Sequence, residues 1–544
     1  MAKIIVLGVD GGSLKLIEQW KDELPNFRRF MEGGVSGELE STIPPVTCPA
    51  WPCMFTGKNP AKIDIYDFLA FPSDQRQDFS VHSSSDYASS SLWGILSDYD
   101  KSVGLLNVPM TYPPHKLNGF MVSGFGAPFA DTRGEDYTYP VSLRNALDKV
   151  VGNYEIDPPI DLNLQGKENQ YIDTLVEMLN KRSKAAKYLI SSFAPDVFIC
   201  VFAVLDRVQH YFWHHMDDAH PKHASEKYRT VVKDFYKKVD DAIGELLSVA
   251  PRDTNIVVVS DHGFQAKHGE LVINRWLENE GFLHFHAARG MVTGAVQAVR
   301  SLFLRLSKPG LTRFVARAIP QRLLARLLTQ TGPRGELDTM FGNIDWPRTK
   351  AFALGASGSG GMIFINLRGR QPNGTVQPGD EYEKVRNNIV EELNRIAPPN
   401  TTAPFDIRVF RKEDIYRGEY LASAPDIVFN MGNYGAITGK GKTSSVWCEP
   451  VLSGMHAMEG VFMAYGPDIK ERGEKLPSLK IYDITPTVLH MSGLPVSREM
   501  DGRVLTEIFK PDSELAGRPV AYEEMKEQGR LKERIKELKK FKKI

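Results

Sequence analysis

Seven oxygen- and nitrogen-bearing side chains stand at the ends of apolar runs or beside Gly and Pro: Asp10, Thr47, Asp206, His210, Asp261, His262 and His456. Three carboxylates, three imidazoles and one hydroxyl suit two divalent metals and one oxygen nucleophile. A two-metal clamp with a threonine alkoxide is a device for cleaving phosphate esters.

Read singly, most members have a plainer alternative. Asp10 closes the run Lys3–Val9 and precedes Gly11 and Gly12. A carboxylate at the C-terminal end of a parallel strand points into the crevice where α/β proteins bind ligands; the alternative is a turn cap. Thr47 lies in Ile43-Pro-Pro-Val-Thr47, with Pro49 and Pro52 after it. Those prolines suit a first helical turn. That places the hydroxyl at a helix N-terminus, which favours anions, although a simple N-cap has the same signature. A free hydroxyl is barely ionised at neutral pH, so an alkoxide calls for metal coordination. Asp206 and His210, four apart, share one face of a helical turn and can offer two ligands to one metal. Asp261-His262-Gly263 ends the Val-rich run Asn255–Ser260 and is the sharpest local cue, with Gly263 permitting a tight exit. His456, in Ser453-Gly-Met-His456, gains meaning only beside Asp206 and His210.

The elements that must carry these residues alternate. Strands are expected at Lys3–Val9, Lys101–Val108, Asp196–Leu205, Asn255–Ser260 and Gly460–Tyr465. Helices are expected at Leu14–Met31, Gln170–Ser192, Ser225–Val249 and Asp380–Arg395, and after an Asp483 N-cap. β-branched runs without polar alternation predict a parallel sheet covered on both faces, hence an α/β layered fold. Strands at Ala351–Leu354 and Gly361–Asn366 belong to an inserted region. The expected organisation is a discontinuous core, 1–264 and 446–522, an α+β cap at 265–445, and a charged C-terminal helix at 523–544.

Composition bounds the function. Among 544 residues, 42% are hydrophobic and 25% charged, enough for a large core and two or more domains. Lys+Arg (67) equals Asp+Glu (67), so no global field favours a nucleic-acid polymer. Four cysteines make no disulfide framework. The N-terminal apolar run is too short for a signal peptide, and no run reaches a membrane span. A cytoplasmic protein is expected; oligomeric state leaves no trace in the sequence. One stretch departs from neutrality: 284–335 holds eight Arg, one Lys and no acidic residue. It reads as basic amphipathic helices packed on the core, as a lid attracting a phosphorylated small molecule, or as a peripheral contact with anionic lipid.

Taken in order, Val9-Asp10-Gly-Gly12, Pro44-Pro-Val-Thr47, Asp206-x-x-x-His210, Ser260-Asp-His-Gly-Phe264 and Gly454-x-His456 resemble the alkaline phosphatase superfamily. The resemblance is to its type I phosphodiesterase/nucleotide pyrophosphatase branch, and within that to a predicted phosphohydrolase/phosphomutase group. It covers about residues 1–264 and 445–505. Ile365-Asn-Leu-Arg-Gly-Arg370 and Ala424-Pro-Asp-Ile-Val428 in the insert are similar to that group too. The resemblance implies an alkaline-phosphatase-like α/β/α core and two divalent ions, zinc by family habit, with manganese compatible with the ligand types. It implies Asp206, His210 and His456 on one ion and Asp10, Asp261 and His262 on the other. Thr47 would be the nucleophile and form a phosphothreonine.

One position departs from the family. Its nucleotide pyrophosphatases carry an Asn beyond the nucleophile that contacts a phosphate oxygen, and that register here falls on Asp67. An ionised Asp repels phosphate unless it is protonated or paired with a cation. Sulfatase chemistry is excluded, because Cys48 and Cys53 lack the Cys-x-Pro-x-Arg pattern. A phosphomutase or phospho-headgroup transferase would use the same core. A non-enzymatic module binding membrane surfaces through 284–335 is the alternative from another class.

Overall fold

A computed structural model describes residues 3–70, 80–126, 136–158, 166–223, 226–286, 341, 343–355, 359–399, 405–439, 445–471 and 473–524. Most of the basic 284–335 segment and nearly all of the expected C-terminal helix lie outside the described residues.

The Val- and Ile-rich runs assemble into one nine-stranded sheet. Its order is Glu474–Lys480, Val35–Glu40, Glu459–Tyr465, Asn255–Val259, Ile4–Val9, Val197–Phe202, Val103–Val108, Gly119–Ser123 and Thr138–Tyr139. Five of its eight pairings are parallel. Alternation along the first strand shows why no polar side chain interrupts it. Ile5, Leu7 and Val9 face a core shared with helices Leu14–Trp20, Pro25–Gly33, Glu168–Phe193, Val204–Met216 and Val231–Leu247. Ile4 and Val6 face a second core with helices Thr47–Thr56, Leu92–Asp98 and Ile484–Met491. Both faces are buried, so this is an α/β/α layered core of the expected alkaline-phosphatase type.

Gly8 is the one gap in that first strand. A Cβ there would meet the Trp51 ring at 2.6 Å and Val201 at 2.7 Å. The glycine lets the Thr47–Thr56 helix lie directly on the sheet.

A four-stranded antiparallel sheet, Ala351–Ala353, Gly360–Ile365, Ile427–Asn430 and Arg408–Arg411, packs with helix Asp380–Arg395 around its own hydrophobic cluster. That cluster takes in Ala61, in the short helix Pro60–Ile63, and Tyr66, both just beyond the Thr47 helix. Tyr66 donates its hydroxyl to Tyr420 O at 2.7 Å, and the Tyr416 hydroxyl donates to Ile43 O. The cap therefore rests on the segment that carries Thr47.

Several local expectations change. Leu14–Met31 is broken into Leu14–Trp20 and Pro25–Gly33, because Pro25 cannot continue a helix and starts a new one. The strand after Asp196 stops at Phe202, and Val204–Met216 is helical, so Asp206 sits in a first turn. Pro52 lies inside the Thr47–Thr56 helix, beyond its first turn. Asp483 does not cap Ile484–Met491; its carboxylate accepts from Lys480 N at 3.0 Å and Arg503 N at 2.9 Å.

Candidate bimetallic active site

Three neighbouring strands bring the three aspartates together. Asn255–Val259, Ile4–Val9 and Val197–Phe202 run parallel, with Gly8 opposite Val259 and Val9 opposite Phe202. Their C-terminal ends therefore align, and Asp261, Asp10 and Asp206 emerge at one edge. All three are 3% exposed or less. Gly11 is required there. It adopts φ +69°, and a Cβ would sit 3.1 Å from Asp206 Cα. Gly263 serves by close approach, since a Cβ on it would lie 2.0 Å from Glu459 O.

The histidines arrive from three elements. His210 is one helical turn beyond Asp206. His262 follows Asp261. His456 lies on Gly454–Ala457, which pairs antiparallel with Gly263–Ala266 so that His456 stands opposite Phe264. Each turns its Nδ1 to a backbone carbonyl: His210 to Gly454 O at 2.9 Å, His262 to Gly263 O at 3.0 Å, His456 to Pro45 O at 2.9 Å. A carbonyl only accepts, so Nδ1 carries the proton and Nε2 presents a bare lone pair. The Nε2 atoms of His210 and His456 face each other at 3.1 Å.

These lone pairs meet carboxylate oxygens. Asp206 Oδ1 lies 3.3 Å from His210 Nε2 and 3.2 Å from His456 Nε2. His262 Nε2 lies 3.1 Å from Asp261 Oδ2 and 3.8 Å from Asp10 Oδ1. Asp10 Oδ1, Asp206 Oδ1 and Asp261 Oδ2 are buried and have no hydrogen-bond partner. Buried polar atoms are ordinarily satisfied, so three converging orphans mark a place built for cations. Two sets bring ligand atoms within 4.8 Å of one another: Asp206, His210 and His456, and Asp10, Asp206 and His262. Asp206 belongs to both, which the sequence did not suggest.

The electrostatics agree. Burial, then the charges of Asp261 and Asp206, push the Asp10 carboxyl well above its ordinary range. Burial and Asp206 do the same to Asp261. Burial opposes ionisation of Asp206 too, but His210, His456 and Arg207 outweigh it and hold that carboxyl well below its usual value. Burial pushes His262 and His456 down, keeping both imidazoles neutral. Three buried carboxylates share one fixed cation, Arg207, and bound divalent ions would supply the remaining positive charge.

Thr47 begins its helix, and Val46 is the N-cap residue, so the threonine is not a cap. Its Oγ1 lies 3.1 Å from His262 Nε2. All seven side chains singled out from the sequence thus meet at one edge of the sheet.

A family model of type I phosphodiesterase/nucleotide pyrophosphatase matches residues 4–457. The chain belongs to this family. It is accordingly a hydrolase of the phosphodiesterase/nucleotide pyrophosphatase kind, in place of the membrane-surface module weighed from the basic segment. Human ectonucleotide pyrophosphatase/phosphodiesterase 5 is similar in structure at 13% identity, TM-score 0.51, with 93% of this chain and 100% of that one covered. The murine protein is similar at 12% identity and the same TM-score, over 93% and 100%. An inactive murine variant in complex with AMP is similar at 11% identity and TM-score 0.51, over 94% and 100%. At these identities the likeness shows the fold. No curated protein matches the sequence.

Against that family pattern Asp67 stands out. It is 4% exposed, and its Oδ1 accepts from Phe68 N at 2.6 Å. Burial pushes its carboxyl up to about 6. Its other oxygen abuts cap residue Gly355, where a Cβ would lie 1.7 Å from Oδ2. Trp51, Arg207 and the contact between Gly12 and Ser260 had no sequence signal. Trp51 Nε1 donates to Asp10 Oδ2 at 3.1 Å, Gly12 N donates to Ser260 Oγ at 2.9 Å, and Arg207 Nη1 donates to Asp206 Oδ2 at 3.2 Å. Among the described residues no helix is long and apolar enough to cross a membrane.

Proposed function

We propose that the chain hydrolyses phosphodiester or pyrophosphate bonds of small phosphorylated molecules, using Thr47 as nucleophile and two divalent cations held by Asp10, Asp206, His210, Asp261, His262 and His456. The observation that carries this reading is the convergence of three orphaned carboxylate oxygens and three imidazole lone pairs on one buried edge. Imidazole and carboxylate ligands suit zinc; manganese accepts the same donors. When bound, such ions polarise phosphoryl oxygens and supply the activation a free hydroxyl lacks.

The chain's own residues account for the rest. The Thr47 hydroxyl lies 3.1 Å from His262 Nε2, so the nucleophile stands beside an atom that would hold one of the cations. The N-terminus of the Thr47–Thr56 helix directs its positive end at the incoming phosphate. Attack by Oγ1 forms a Thr47–phosphorus bond as the bond to the leaving oxygen breaks. Water then attacks phosphorus and returns Oγ1 as a hydroxyl. Asp67, kept largely protonated below about pH 6, can donate to a phosphoryl oxygen where an ionised carboxylate would repel it. The AMP seen on the murine relative supports a nucleotide-like substrate.

The test is a turnover screen of zinc-loaded protein against aryl phosphodiesters, aryl phosphomonoesters, dinucleotides and nucleotide sugars. Diester or pyrophosphate cleavage is expected to exceed monoester cleavage. Protein that holds two zinc ions and cleaves none of these overturns the proposal. Net transfer of phosphate to an added alcohol would move the reading to a transferase.

A further inference from the structure

Asp206 belongs to both ligand sets, so the orientation of its two oxygens matters to both cations. Oδ1 faces His210 and His456 at 3.3 and 3.2 Å. Oδ2 is taken, because Arg207 Nη1 donates to it at 3.2 Å. Arg207 is itself pinned by Asp157, which accepts from Nε at 3.2 Å through Oδ1 and from Nη2 at 2.8 Å through Oδ2. Such a two-toothed contact fixes the guanidinium plane as well as its position. The guanidinium carbon lies 5.3 Å from the centroid of the Phe125 ring.

Asp157 is held in place by a second buried arginine. Arg182 is 1% exposed. It donates through Nη2 to Ile156 O and Asn107 Oδ1, both at 2.9 Å, and through Nε to Tyr154 OH at 3.4 Å. Tyr154 and Ile156 belong to the stretch that ends in Asp157. The link from Arg182 in the Glu168–Phe193 helix to Asp206 therefore runs through consecutive contacts of fixed geometry.

We infer that Arg207 is a positioning residue for the metal site: anchored by Asp157, it occupies Oδ2 of Asp206 and reserves Oδ1 for the cations. Three of the five guanidinium N–H groups, one on each nitrogen, are spent on the two carboxylates. The inference rests on the bimetallic reading above.

Charge alone and positioning make opposite predictions. If Arg207 acted only through its charge, replacing it would remove a cation near the site and tighten metal binding. If it orients the carboxylate, replacing it weakens binding, because Asp206 can then swing or turn both oxygens inward. Hydrogen-bond partners of metal ligands are typically worth about 10–100-fold in affinity. The experiment is zinc titration of metal-stripped full-length protein against a chromophoric chelator, for wild type, Arg207→Met, Asp157→Asn and the double variant.

At least about tenfold weaker zinc binding is expected in Arg207→Met and in Asp157→Asn. The double variant should be no weaker than Arg207→Met alone, since Asp157 acts only through Arg207. Unchanged or tighter zinc binding in Arg207→Met, or additive losses in the double variant, overturns the inference. Should Arg207→Met fail to fold because Asp157 is left unpaired, the double variant removes that buried charge and gives the same reading. Wild-type protein that binds no zinc would instead overturn the bimetallic reading itself.

Discussion

Two buried carboxylate sites in this chain show opposite treatment of charge. In the cap, Asp426 is fully buried and fully satisfied. Its Oδ1 accepts from Arg370 Nη1, Lys412 Nζ and Tyr382 OH at 2.8, 3.1 and 2.7 Å. Its Oδ2 accepts from Arg370 Nη2 and Ile365 N at 2.5 and 2.7 Å. Burial opposes ionisation there, but Arg370 and its companions prevail and hold the carboxyl down at about 2. At the sheet edge, Asp10 and Asp261 are equally buried, yet each leaves one oxygen without a partner and is pushed up. The cap site is complete as a protein structure. The sheet-edge site is complete only with something the polypeptide does not supply. That contrast separates a structural ion network from a functional one better than burial or pKa direction alone.

The comparison breaks most sharply at Thr47, the proposed nucleophile. Thr47→Ala is expected to reduce cleavage of an aryl phosphodiester to background while zinc content, measured by atomic emission, stays at the wild-type level. Wild-type rates in that variant would remove Thr47 from the reaction.

The next largest effect concerns the sign of a substitution. Asp426→Asn leaves Arg370 and Lys412 facing a neutral amide and should cost about 3–5 kcal/mol in urea unfolding. Asp10→Asn in metal-stripped protein should do the reverse, because it removes a buried charge repelled by Asp261 and Asp206. Equal destabilisation at the two positions would end the distinction. Chelation sharpens it further. Stripping zinc should lower the unfolding free energy of wild type by about 3 kcal/mol for each of the two sites when free zinc had stood at about 100 times Kd. The same treatment should cost Asp10→Asn only about half as much, because the Asp206, His210 and His456 set is intact in that variant.

The smallest effect is a pH dependence at Asp67. Its folded value of about 6 lies above the ordinary 3.8. A raised carboxyl costs nothing below the unfolded value and destabilises progressively as pH rises through the folded one, by at most about 3 kcal/mol. Asp67→Asn should therefore gain stability over wild type between about pH 4 and 6 and hold that gain above. Asp426 has the opposite sign: its contribution is present above the ordinary carboxylate value and is lost as pH falls through about 2. Parallel pH–stability curves for Asp67→Asn and wild type would show that Asp67 is solvated.

Much of the catalytic edge was legible in the sequence. Val-rich runs ending in Asp10 and in Asp261-His262 announced parallel strands with ligands at their tips, because burial on both faces leaves no polar alternation and the exit is the first place a carboxylate fits. The four-residue spacing of Asp206 and His210 stated a shared helical face. The break at Pro25 was misread as continuous helix, since apolar spacing survives on both sides of it. The strand Val35–Glu40 went unseen because Ser36, Glu38 and Glu40 interrupt its apolar pattern.

By itself the sequence determined which local elements form and which reactive side chains stand at their ends, because periodicity, β-branching and Gly/Pro placement act over a few residues. Only the tertiary structure decided that Asp206 belongs to both ligand sets, that Trp51 holds Asp10, and that Asp157 reaches Arg207 across 50 residues. Those contacts depend on strand order and on how helices settle on the sheet. That is a property of the whole packed chain, and no short window of residues encodes it.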